Sequence, residues 1–103
     1  MIPALQNFRT YHLALEFHQE CKQVKLSTSL RDQLMRATES IVLTLAEGSA
    51  KPTARDRRRY YSMALGSFRE SQAILNLADQ AGILTSFDHL GGCLYRLSRS
   101  PEP

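Results

Sequence analysis

The sequence predicts an all-α domain, an antiparallel up-down-up-down four-helix bundle spanning residues 1–103 as a single unit. Apolar residues recur at spacings of three and four, and no stretch alternates as a half-buried strand does. Capping and turn signals divide the chain into four helical segments with short connections, which favour antiparallel neighbours. The composition, 43% hydrophobic and 22% charged, is that of a globular domain long enough for one core.

The first helix is expected over about 7–25. Phe8, Tyr11, Leu15 and His18 lie on one line of it, and Ala14, Phe17, Cys21 and Val24 on the adjoining one. The second, about 30–48, carries Leu30, Leu34, Ala37, Ile41 and Leu45 on one face, while Val42, Leu43 and Ala46 add apolar groups on others. A helix apolar on several sides is buried on several sides, which in a small domain implies a partner subunit. The third helix, about 54–81, has a small-residue seam (Tyr60, Ala64, Ser67, Ser71, Ile74, Ala78, Ala81) beside a bulkier stripe of Tyr61, Leu65, Phe68 and Leu75. The fourth, about 86–98, rests on Leu90, Leu94 and Leu97 and contains Gly91-Gly92, each glycine costing about 1 kcal/mol relative to alanine. Residues 99–103 are expected to form a disordered tail.

Helix starts are marked by Ser29-Leu-Arg-Asp32, Thr53-Ala-Arg-Asp56 and Thr85-Ser-Phe-Asp88, each matching a capping box. Gly48, followed by Pro52, is expected to end the second helix and Gly82 the third. Residues 1–25 lack the basic start and apolar block of a secretory signal, and the apolar run Ile41 to Ala46 is too short to span a bilayer. Two cysteines make no disulfide framework. These features point to a cytoplasmic protein with no membrane association.

Charge is distributed unevenly. The net charge is +3, yet residues 51–59 alone hold Lys51, Arg55, Arg57, Arg58 and Arg59 against Asp56, leaving eight bases and nine acids elsewhere. Cations at the start of a helix are disfavoured by its dipole, so local electrostatics do not explain the placement. An anionic partner would. Arginine forks suit phosphate, and Tyr60 and Tyr61 offer rings for base stacking. The candidate nucleic-acid-binding residues are therefore Lys51, Arg55, Arg57, Arg58, Arg59 and Tyr60. The alternative is a solvated face, or arginines paired with Glu47 and with acids of a neighbouring subunit.

Glu47 and Glu70 sit in largely apolar or small-residue segments, where a carboxylate needs a partner. If the second and third helices turn around residues 49–52, paired positions sum to about 101. Glu47 then faces Arg55 and Arg58, and Glu70 faces Arg31 with Arg36 nearby. Arg31, Arg36, Glu47 and Glu70 are thus expected to form a structural polar network that fixes register. In that register the two glutamates lie on the order of 20 Å apart, too far for two-carboxylate catalysis. No nucleophile elbow, phosphate loop or dinucleotide motif occurs, so no catalytic residue is assigned and no enzyme activity or cofactor is expected. His18 with Cys21, and His89 with Cys93, lack a zinc-site spacing, and no metal is assigned.

Gln33, Arg36, Ala37, Ser40, Ile41, Ala46, Glu47 and Gly48, followed by the basic segment and then Ala64, Gly66, Ser67, Glu70, Leu77, Ala78 and Gly82, resemble the four-helix-bundle family encoded by intervening sequences in bacterial 23S rRNA genes. The resemblance spans roughly residues 8–97. Val42 and Thr44 depart from it, standing where the family pattern has proline and asparagine. The resemblance implies a ring-shaped homopentamer. A related branch, the accessory protein of diversity-generating retroelements, implies RNA or DNA and a reverse transcriptase as partners. The reading that follows is a non-enzymatic nucleic-acid-binding oligomer. The alternative is a protein-interaction scaffold whose arginines make intersubunit ion pairs.

Overall fold

The computed structural model describes residues 4–101, and among them every regular element is helical. A 3-10 turn at Leu5–Asn7 leads into α1 (Arg9–Cys21), followed by α2 (Thr28–Ser49), α3 (Ala54–Leu77), the short α4 (Gly82–Ser86) and α5 (Asp88–Arg99). The all-α expectation holds. The helix expected over about 86–98 is α5; the short α4 was not expected and lies in the connection before it, with Phe87 leaving helical geometry between the two. Arg99 closes α5, Ser100 follows in extended geometry and Pro101 is buried; the last two tail positions lie outside the described residues.

Local chemistry sets the ends. The α3 start is as the sequence implied: the Asp56 N–H donates to Thr53 Oγ1 at 3.1 Å, and the Asp56 carboxylate sits in the first turn, where the dipole favours it. At α2 the cap is Ser27 rather than Ser29, its Oγ accepting from the Leu30 N–H at 3.3 Å. Thr85 caps nothing, since it lies inside α4. Gly48 does not end α2, which continues to Ser49. Nor does Gly82 end α3. Asp79 takes the left-handed conformation (φ 59°) after Leu77. The Gln80 N–H then donates to the Leu75 carbonyl (2.8 Å) and the Asp79 N–H to that of Asn76 (3.2 Å), a Schellman closure built without glycine.

The most extensive packing is α2 against α3; α3 also packs on α5 and α1 on α2, with α1 and α5 in contact. The Ser67 hydroxyl donates to Ser40 Oγ at 2.9 Å and the Tyr60 hydroxyl to Glu47 Oε2 at 3.2 Å, so α2 and α3 run in opposite directions with paired numbers summing to 107. The expected value of 101 was six short. Gly48 accounts for the offset: a Cβ there would stand 2.7 Å from the Cβ of Tyr60 and 3.1 Å from the Tyr61 ring. The missing side chain admits α3 at that point, and the rest of the register follows.

The core forms between these helices. Ala14, Phe17 and Cys21 of α1 meet Leu34, Ile41 and Leu45 of α2, Phe68 and Leu75 of α3, and Leu90 and Leu94 of α5. The Phe17 ring lies 5.3 Å from those of both Phe68 and Phe87. Gly91, a liability by propensity, has a packing reason: its Cβ would stand 2.9 Å from the Phe68 ring, which is already confined by Phe17. Gly92 has no such neighbour, the nearest being the flexible end of Arg96 at 3.6 Å.

His18 joins α1 to α2. The Thr38 hydroxyl lies in hydrogen-bond contact with both His18 Nδ1 (2.7 Å) and the Met35 carbonyl (3.3 Å). Burial, with Lys22 nearby, holds the His18 pKa below its ordinary 6.5, opposed in part by Glu39.

Two predictions follow from these contacts. Gly48→Ala and Gly91→Ala should each lower stability by about 1–3 kcal/mol through overpacking, whereas Gly92→Ala should raise it by up to about 1 kcal/mol; chemical denaturation of the three variants checks this. The His18 contribution should be fully present above pH 6.5 and be lost as pH falls through the lower folded value, because the unfolded chain takes up the proton first. Denaturation midpoints of His18→Gln measured against pH should lack that decline.

Candidate nucleic-acid interface

The hairpin between α2 and α3 delivers the basic segment to one end of a molecule 42 Å long and about half as wide. Arg57 is part of the scaffold: its guanidinium donates to the Lys51 carbonyl at 3.0 Å and holds the connection against α3. Arg55 and Arg58 are exposed. Arg59 is exposed as well, with Asp56 at 3.9 Å, the one ion pair among the described residues. A pair this open is worth little, on the order of 0–1 kcal/mol, so Asp56 offsets little of the positive charge of Arg55, Arg58 and Arg59.

Tyr60 is engaged on ring and hydroxyl alike. The Lys51 ammonium lies 4.9 Å and the Arg59 guanidinium 5.0 Å from its ring centre, while its hydroxyl goes to Glu47. These cation–π contacts keep two of the bases near Tyr60. Tyr61, read from the sequence as a stacking surface, is 3% exposed and packs on Phe8 with ring centres 6.0 Å apart. It belongs to the core.

A shallow depression at this end is lined by Thr53, Arg55, Asp56, Arg58, Arg59 and Ser62 of the hairpin and α3, and by Ser98 of α5. Ser98 makes the last turn of α5 a second wall; Arg96 and Arg99 of that turn lie outside the lining, their guanidiniums against Cys93 Sγ (3.3 Å) and the Tyr95 ring (4.9 Å). Residues 51–59 and this turn together hold seven bases against Asp56. Sequence reasoning missed α5, since its two arginines lie some forty residues from the cluster; their one signal was an i,i+3 spacing at a helix end. A second depression, at the far end of α3, is lined by Glu20, Gln23, Val24, Lys25, Gln80, Ile83, Ser86 and Phe87 and has no comparable charge excess.

The polar network read from the sequence takes a different form. Glu47 receives the Tyr60 hydroxyl rather than Arg55 or Arg58. Arg31 donates to the carbonyls of Lys22 (3.2 Å) and Val24 (3.4 Å), satisfying the chain just past α1, not Glu70. Arg36 and Glu70 are exposed and, among the described residues, make no ion pair. The shifted register puts Tyr60 opposite Glu47 and moves Glu70 away from Arg31, and both glutamates are exposed, so neither needs an ion pair. In the observed register Glu47 faces Tyr60, and Glu70 lies ten residues further along α3, about 15 Å away.

The cysteine–histidine pairs are also separated in role. His18 is committed to Thr38, and Cys21 is 1% exposed with its thiol pushed up to about 12 by burial and secondarily by Glu20. Among the described residues no three His, Cys, Asp or Glu side chains are grouped as a metal site requires. No helix among them is long and apolar enough to cross a membrane.

Comparisons with curated proteins and with solved structures each found no match. The family described as 23S rRNA-intervening sequence protein matches over residues 6–99, nearly the whole chain. That span takes in the Gly48 hairpin, the basic segment and the last turn of α5, and the chain belongs to the 23S rRNA-intervening sequence protein family.

Proposed function

We propose that this protein is a non-enzymatic, cytoplasmic homo-oligomer, a pentamer of antiparallel four-helix bundles, that binds RNA or mobile-element nucleic acid through Lys51, Arg55, Arg57, Arg58, Arg59 and Tyr60. A protein partner such as a reverse transcriptase fits the same reading by analogy with the related retroelement accessory branch. The bundle arrangement is supported by the opposed directions of α2 and α3 and by the packing of α1 on α2 and of α5 on α3 and α1.

One observation carries the nucleic-acid reading: Arg55, Arg58 and Arg59 stand exposed around one depression, with Asp56 the only acid lining it among the described residues. Solvation alone gives no reason to gather cations at a helix start. Guanidinium groups at that spacing are suited to a run of phosphates. Assembly is supported by the outer surface of α2 and α3, where Leu43 is 65% and Leu77 77% exposed. Met63 lies near Leu43, and Arg36 near Glu70, in the observed register. Gly66 opens onto space that a neighbouring helix would fill.

The test combines fluorescence anisotropy with light scattering. Wild type should bind labelled nucleic acid at micromolar concentration or tighter, with affinity falling steeply between low and moderate salt. The triple variant Arg55→Glu, Arg58→Glu, Arg59→Glu should lose at least tenfold in affinity while keeping its oligomeric mass. Unchanged binding in that variant, or none by wild type at low salt, would overturn the reading. Dissociation of the oligomer by the same variant would favour the scaffold alternative, with the arginines serving subunit contacts.

A further inference from the structure

The aromatic groups at the basic end settle which form of nucleic acid suits it. Proteins that hold single strands combine a basic groove with open aromatic faces on which successive bases stack. Here Tyr61 is core, 3% exposed. Tyr60 has Lys51 and Arg59 against its ring at 4.9 and 5.0 Å, and its hydroxyl is committed to Glu47. Tyr95 on α5 is 49% exposed but carries the Arg99 guanidinium 4.9 Å from its ring centre. Tyr11, near the start of α1, is half-buried with its ring edge-on to His12. Tyr61 is thus closed to a base, the Tyr60 ring already holds two cations, and Tyr95 and Tyr11 each carry one neighbour against the ring.

The charges, by contrast, are arranged for a rigid polyanion. Arg55, Arg58 and Arg59 of the first turns of α3 line the depression together with Ser98 of α5; Arg96 and Arg99 stand on the same last turn as Ser98 but outside the lining, the Arg96 guanidinium donating to Cys93 Sγ at 3.3 Å and that of Arg99 lying over the Tyr95 ring. Two helix ends hold these groups at fixed relative positions. A duplex presents phosphates already in fixed order with its bases turned inward, whereas a single strand must lose conformational freedom to match such an array.

We infer that the depression between the start of α3 and the end of α5 binds the phosphate backbone of a double-stranded nucleic acid without base stacking, an inference that rests on the nucleic-acid reading above. Arg96 and Arg99, on the turn that carries Ser98, flank that surface and extend it when their guanidiniums turn from Cys93 and Tyr95 to a phosphate.

Anisotropy titrations of the full-length protein with a labelled 20-base-pair DNA duplex, an RNA duplex of the same sequence, an oligothymidine strand of equal length and an abasic strand test this at 50 and 200 mM salt. At least one duplex should bind ten or more times tighter than oligothymidine, and the abasic strand should match oligothymidine. The two duplexes show whether the backbone read is RNA, DNA or both. Arg96→Glu with Arg99→Glu, checked for retained helicity by circular dichroism, should weaken duplex binding at least tenfold at 50 mM salt. The same variant should reduce the slope of log affinity against log salt by about two. Oligothymidine binding as tightly as both duplexes, a marked loss on removing the bases, or an unchanged affinity in the α5 variant would each overturn the inference while leaving the broader reading standing. Failure of every probe to bind would remove both.

Discussion

The absence of a side chain at Gly48 is the constraint from which the rest of the molecule follows. A methyl group there would overlap the Cβ of Tyr60, an atom too close to the backbone to move aside cheaply. Without it, α2 and α3 approach closely and settle in the register that pairs Glu47 with Tyr60 and Ser40 with Ser67. That contact then organises the hairpin. Tyr60 gathers Lys51 and Arg59 against its ring, Arg57 ties back to the Lys51 carbonyl, and Arg55 and Arg58 are left facing water. A packing requirement in the scaffold thereby fixes the geometry of the charged end.

That end holds an electrostatic tension. The first turns of α3 are the positive pole of its dipole, and four arginines lie there or just beyond. The Thr53 cap, the Asp56 carboxylate and the aromatic ring of Tyr60 offset part of the repulsion. The last turn of α5 differs: it is the negative pole of its own helix, so Arg96 and Arg99 are favoured where they stand. Bringing the two ends together places a favourable group of cations beside a strained one.

Most of the fold could be read from the sequence because helical periodicity is a local signal. Phe17, Leu34, Ile41, Phe68, Leu75, Leu90 and Leu94 all fell on predicted helices and all are buried. What escaped was set by contacts between segments. Nothing local says that Asp79 will take the left-handed conformation in place of Gly82, or that Gly48 serves close approach rather than helix termination. The register error came from the same source and carried the polar network with it, since a shift of six residues puts Tyr60 rather than Arg55 and Arg58 opposite Glu47 and moves Glu70 away from Arg31. The basic segment was legible because its charges are contiguous. Its second wall was not, because only the packing of α5 beside α3 brings Ser98 to Arg55 and Arg58. Tyr61 was read both as part of the apolar stripe with Leu65, Phe68 and Leu75 and as a stacking ring, and the first reading holds; two adjacent tyrosines on a helix point about 100° apart, so one joins the core and the other meets the cations.

Hydrogen–deuterium exchange, resolved by peptide and compared with and without a duplex, tests most directly whether one end of the molecule is where a polyanion docks. Protection confined to the hairpin and early α3, about residues 51–62, together with the end of α5, about residues 94–99, is the predicted result. Protection that left both segments unchanged and fell instead on the outer face of α2 around Leu43, or at the far end of α3 around Gln80, would contradict the account.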